Sequence, residues 1–260
     1  MKVGIKIDAI GGTSAGSIVA ALYAMGYKPY YIYVLCQKYA QDIINISNAL
    51  ILNGMGNFMR NKKWGFTGLN DGTLLEKMYN ELAERKGIKV IGDIKMPLVI
   101  PAVDISESKE YIFTNCAPRD NIYDKYITEI SIGKAVRASS SFPAIFCPCE
   151  FRNHMFMDGG TLNNIPVITL KEVYDKKIIA VNFEADKVEN NSDVMDIVMK
   201  SLDIMGNKIS EESLRKSDFV LTIPTDRVGL FDINKLEKCY KFGYYTTMKN
   251  IEKIKKLYKD

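Results

Sequence analysis

A chain of 260 residues, 47% hydrophobic and 25% charged, is long enough to bury a sizeable core and short enough to do so as one domain. A formal net charge of +4 is too small to imply nucleic acid as a partner, and five scattered cysteines, an odd number, argue against a disulfide framework. The apolar runs are broken far short of the ~20 residues that span a bilayer, and the first residues carry no secretory pattern, so a cytoplasmic location is expected.

In chain order, Ile5 to Ile10 reads as a strand, Gly11 and Gly12 as a tight turn, and Ala15 to Met25 as a helix capped by Gly26, with Pro29 barring its continuation. A second helix is expected over Tyr30 to Ile44. An irregular stretch from Asn53 to Gly72 follows, in which Trp64 and Phe66 beside Arg60, Lys62 and Lys63 suit either a lipid-facing lid or an ordinary surface loop. Thr73 and Glu76 have the spacing of a capping box for the next helix. Strands are expected at Leu98 to Val103, Tyr111 to Thr114, Lys177 to Phe183 and Phe219 to Ile223. Helices are expected at Ile132 to Ser140, Val194 to Lys208 and Lys235 to Lys256. Alternating strands and helices without a linker or repeat indicate a single α/β layered domain spanning residues 1–260. Residues 235–260 hold eight lysines against three acidic residues, which could draw the protein to anionic lipid headgroups, although a solvated helix face is the simpler account.

Gly12-Thr13-Ser14-Ala15-Gly16 matches G-x-S-x-G between a strand and a helix, the context of a nucleophile elbow. A sharp turn there exposes the Ser14 hydroxyl. Flanking glycines remove β-carbons that would crowd it, and the helix N-terminus with the Ala15 amide is placed for a developing oxyanion. The spacing of Gly11, Gly16 and Ser17 mimics a phosphate-binding loop but puts Ser17 where that loop needs lysine. A structural Gly-Ser turn would account for the pentapeptide by itself.

It has company. Ile7 to Ser17 resembles the elbow of the patatin-like phospholipases, and Met157-Asp158-Gly159-Gly160 with Asn163 to Pro166 resembles that family's D-G-G/A segment. Ala135 to Ser141 and Phe142 to Pro148 resemble the helix and proline-rich loop between them. The resemblance implies a three-layer α/β sandwich with a mostly parallel central sheet between helices. It also implies a Ser-Asp dyad, Ser14 as nucleophile and Asp158 as base, hydrolysing acyl esters of glycerolipids without a cofactor or metal. Gly159 and Gly160 would let the backbone pass beside the nucleophile, although an Asx turn closing a strand explains Asp-Gly-Gly by itself. His154, the sole histidine, falls in what reads as an exposed hairpin turn and is set aside as base. Asp104, at a strand end, reads as structural. Cys147, Cys149 and His154 lack a fourth partner for a metal.

The chain also departs from the pattern. The family's glycine-rich oxyanion loop precedes the elbow, yet eleven residues precede Gly12 and hold only Gly4 and Gly11. The first strand, oxyanion loop and first helix are therefore expected to be missing, leaving an exposed sheet edge. That leaves a second expectation open, an inactive relic of the fold that binds lipid or a partner protein.

Overall fold

The computed structural model describes residues 4–44, 68, 70–118, 124–143, 145–184, 194–226, 228 and 232–259. The architecture is α/β, a central sheet flanked by helices. Strand β1 (Ile10–Gly11) leads into helix α1 (Ala15–Ala24), followed by α2 (Pro29–Ile44) and α3 (Thr73–Glu84). Then come β2 (Leu98–Asp104), β3 (Lys109–Thr114), β4 (Tyr126–Ile127), α4 (Ile132–Ser139), β5 (Cys149–Phe151) and β6 (His154–Asp158). The chain continues through α5 (Val167–Val173), β7 (Ile179–Phe183), α6 (Val194–Lys216), β8 (Phe219–Ile223), α7 (Leu236–Lys249) and α8 (Ile251–Lys259).

The main sheet runs β4-β3-β2-β6-β5, with β1 also paired to β2. It is mixed, not mostly parallel: β2 with β3, β2 with β6 and β5 with β6 are antiparallel, while β1 with β2 and β3 with β4 are parallel. Connection length accounts for β2 with β3 and β5 with β6, since the short links after Asp104 and Phe151 can close hairpins but not crossovers. Every residue of β2 is buried, the signature of a strand covered on both faces. Alternation along it splits the core. Leu98, Ile100 and Ala102 join the cluster under α1 to α4, and Val99 joins Ile112, Val167, Leu170 and Ala180 on the other face.

Several boundaries differ from expectation. Residues 5–9 form no strand; β1 is two residues long because only Ile10 and Gly11 find partners, at Leu98 and Val99. The capping box does not form. Gly72, at φ 68°, caps α3, the Thr73 amide donates to Asp71 Oδ1, and Glu76 instead pairs with Lys134 (3.1 Å) and Arg137 (3.8 Å) of α4. The C-terminal helix is two helices broken at Asn250, which caps α7. Within them Lys241 and Lys255 make exposed ion pairs to Glu237 and Glu252, and Lys238 to Asp226, as a solvated face would. Strands β7 and β8 pair in parallel with each other, apart from the main sheet, and leave Ile179, Val181, Phe183 and Val220 exposed. Trp64, Phe66, Arg60, Lys62 and Lys63 lie outside the described residues. Among those described, no helix is long and apolar enough to cross a membrane.

Candidate active site

Two strand ends meet along one edge of β2. β1 pairs there up to Val99 and β6 from Ala102 onward, running toward each other, so Gly11 and Asp158 close on a gap about three residues of β2 wide, roughly 10 Å. Pro101 fills the gap. Its other-side partner Ile112 sends its amide to Lys125 O, so the Pro101–Ile112 pair is not hydrogen-bonded and the proline nitrogen faces the gap, where no ladder bond is lost. Thus Ser14 follows the end of one strand and Asp158 ends the other.

At Ser14 the backbone takes φ 53° and ψ −125°, a left-handed φ that costs a non-glycine residue about 1–3 kcal/mol. Gly12 is required by the turn: a β-carbon on it would lie 2.3 Å from Gly16 O. Gly16 is not, since a β-carbon there would meet open space, which leaves room beside the serine. Helix α1 starts at Ala15, whose amide has no intrahelical acceptor, and its positive end faces Ser14. Ser14 is half-buried, whereas Ala15 and Gly16 are exposed.

Asp158 is 3% exposed. Its Oδ1 accepts from the Gly160 amide at 2.8 Å, so the Asx turn does exist. Its Oδ2 is buried without a hydrogen bond. Burial pushes this carboxyl up to about 6, the Ser14 hydroxyl and the Gly160 amide drawing it back toward the ordinary range. The Ser14 hydroxyl is therefore near enough to favour the carboxylate, yet no formed bond reaches Oδ2. Gly159 serves packing against β2: a β-carbon on it would lie 2.3 Å from Pro101 O and 3.0 Å from Thr13 Cγ2.

Most of the residues that hold this pair lie within the segments that resemble the family pattern, although their contacts are not visible in the sequence. Thr13 Oγ1 donates to Asn163 O at 2.8 Å, tying the elbow to the loop after Asp158. The Asn163 side chain is held by Glu110 (2.6 Å) and Thr169 (2.8 Å). Ser139 and Ser140, at the end of α4, bond to the main chain of Ser14, and Ser141 O accepts from the Asp158 amide at 3.0 Å.

His154 is not an exposed turn residue. It opens β6, its Nδ1–H donates to Asp104 Oδ2 at 2.6 Å, and its ring packs on Tyr111 and Phe156. Burial raises the fully buried Asp104 carboxyl, but the bonds from His154 and the Ser106 amide outweigh it and leave it below its usual value. Its role is to lock β2 to the β5–β6 hairpin. Among the described residues the one group with metal-ligand spacing is Asp104, Glu107 and His154, not the cysteines, and all three already have protein partners. Replacing His154 with alanine is expected to cost about 1–3 kcal/mol of stability by stranding a buried acceptor, while turnover per folded molecule stays within a few-fold. Denaturant melts paired with active-site titration check this; a collapse of turnover in the folded variant would bring His154 into the chemistry.

The sequence profile of the family described as "Patatin-like phospholipase" matches residues 2–171. The chain belongs to the patatin-like phospholipase family. Among curated relatives, the probable lipid hydrolase 463L of Invertebrate iridescent virus 6 is 27% identical over 66% of this chain and 56% of its own length. Lysophospholipase NTE1 of Candida albicans is 25% identical over 92% of this chain but 17% of its own length. This patatin-like chain therefore spans about half, or far less, of the curated relatives it matches. Among solved structures, VipD from Legionella pneumophila aligns at TM-score 0.44 and 13% identity over 94% of this chain and 61% of that one, too loosely to bear on the site.

Proposed function

We propose that this patatin-like domain is a serine acyl hydrolase acting on glycerolipid esters through Ser14 and Asp158. The observation that carries the reading is a buried carboxylate oxygen, Asp158 Oδ2, left without a hydrogen bond beside a serine held in elbow geometry. Leaving such an oxygen unpaired is costly, and a proton delivered during reaction is what it lacks. Ser14 Oγ attacks the ester carbonyl as its proton passes to Asp158. Collapse of the tetrahedral intermediate expels the alcohol, which takes that proton, and leaves the acyl group on Ser14. Water, deprotonated by Asp158, then attacks the acyl-serine; the fatty acid departs and Ser14 recovers its proton. The lipid substrate class follows from family membership and from relatives named lipid hydrolase and lysophospholipase. Contact with a membrane surface would then be peripheral.

A fluorophosphonate probe tests the reading. Labelling is expected at Ser14 and nowhere else; a folded chain that stays unlabelled would instead be a lipid- or partner-binding relic of the fold. The pH profile is a further expected outcome. Asp158 must be deprotonated to act as base, so kcat/KM rises with pH, reaches half its plateau near pH 6 and falls tenfold per unit below that. A midpoint near 4 would mean that the active base is solvated, and would exclude the buried Asp158.

A further inference from the structure

Ser14 is gripped from outside its own turn. Its amide donates to Ser139 Oγ at 3.1 Å, and its carbonyl accepts from Ser140 Oγ at 3.2 Å and from Ser17 Oγ at 2.7 Å. Ser17 and Ser140 hydroxyls lie 3.4 Å apart, side by side on the one carbonyl to which both donate. All are removed from water: Ser17 and Ser139 are 0% exposed and Ser140 is 7% exposed. The next residue, Ser141, accepts the Asp158 amide through its carbonyl and ties its own hydroxyl to Arg137 O. One three-residue segment therefore touches the main chain on both sides of Ser14 and at the strand end that carries Asp158.

We infer that Ser139 and Ser140 are positioning residues for the Ser14 nucleophile, setting its backbone conformation and its separation from Asp158. The inference rests on the acyl-hydrolase function proposed above. A helical serine ordinarily bonds back to a carbonyl of its own helix; Ser139 instead accepts from an amide 125 residues away. A left-handed residue persists only where its surroundings over-determine it, and hydroxyls on both the amide and the carbonyl of Ser14 do that. The segment is itself anchored. Ala135, Val136 and Ala138 of α4 are fully buried, Lys134 and Arg137 pair with Glu76, and Arg137 Nε donates to Asp71 O. There is also a consequence for the oxyanion. Because the Ser14 amide is spent on Ser139 and the Gly16 amide on Thr13 O, the amide that stays available on the helix side of the elbow is that of Ala15.

The experiment uses the full chain with Ser139→Ala, Ser140→Ala and Ser139→Thr. Two readouts are taken: kcat and KM on a short-chain p-nitrophenyl ester, and exchange of the Ser14 amide followed by NMR. Ser139→Ala is expected to lower kcat by about 10–100-fold, the effect of misplacing a reacting group by a fraction of an ångström to one ångström. KM and the pH midpoint should stay unchanged, and exchange at Ser14 should quicken while global stability holds. Ser139→Thr, which keeps the hydroxyl, should recover part of the loss. A folded Ser139→Ala with wild-type kcat and unchanged exchange overturns the inference. If Ser139→Ala does not fold, Ser140→Ala, at the edge of the network, decides by the same two readouts. If the wild-type chain hydrolyses nothing, the proposed function fails separately, and exchange at Ser14 still decides whether these serines hold it.

Discussion

Ser14→Ala and Asp158→Asn are each expected to remove about 10⁴-fold or more of turnover, because nucleophile and base act as a unit and loss of either stalls the same step. The two variants should differ in stability. Asp158 in the folded chain holds its proton up to about pH 6, above the value near 3.9 of an unfolded aspartate. The sign follows from proton counting: between those values the native state binds more protons than the unfolded one, so stability falls as pH rises through that window. Above pH 7 the buried charge costs the fold about 3 kcal/mol. Asp158→Asn keeps an acceptor for the Gly160 amide and removes that charge, so its Tm should exceed wild type at pH 8 and converge with it near pH 4. Ser14→Ala should show no such crossover. Loss of turnover without the pH-dependent gain in Asp158→Asn would place Asp158 in the reaction but not in the desolvated state described here. Retained turnover in either variant would sink the dyad.

Supplying oxyanion donors is expected to speed the reaction by about 10²–10³-fold per donor. At the elbow, the amides of Gly12, Ser14 and Gly16 are committed to Val99 O, Ser139 Oγ and Thr13 O, and Thr13 is buried on the strand side, so the exposed Ala15 supplies the available donor. We propose that the donors missing from this set belong to a glycine-rich strand lying against β1. Two features support that placement. Among the described residues β1 pairs with β2 and with no other strand, and the parallel β7–β8 pair stands apart with Ile179, Val181, Phe183 and Val220 exposed, although parallel strands are ordinarily covered on both faces. Joining a glycine-rich strand and helix from a related patatin-like protein to the N-terminus should therefore raise turnover per folded molecule and reduce aggregation through the open edge. Equal turnover with and without the graft would mean that other groups of residues 1–260 stabilise the oxyanion.

What was legible in the residues and what was not divide along a physical line. The elbow is local: Gly12, Ser14 and the helix after them are specified by sterics within five residues, and the apolar run Leu98 to Val103 reads as a strand wherever it is found. The order of elbow, helix and Asp-Gly-Gly segment, and with it the family, was readable because each is a short contiguous motif that resembles the patatin-like pattern. Features that depend on which segments become neighbours were not. Thr73 and Glu76 have the spacing of a capping box, but Glu76 is drawn away by Lys134 and Arg137 of a helix some sixty residues on. His154 reads as a turn residue until the β2–β6 register places buried Asp104 within 2.6 Å of it. Pro101 looks ill-suited to a central strand, and only the gap between β1 and β6 explains it. Ser139 and Ser140 lie in the segment that resembles the family's helix, but nothing there shows what they bond to, and they become the grip on Ser14 because α4 packs against α1. By itself the sequence determined the class of fold, which rests on periodicity, and the family, which rests on contiguous motifs, and it pointed to Ser14 and Asp158 as candidates. Only the tertiary structure decided the burial of Asp158, its raised proton affinity and the network that holds Ser14, because desolvation and long-range hydrogen bonds exist only once distant segments have been brought into contact.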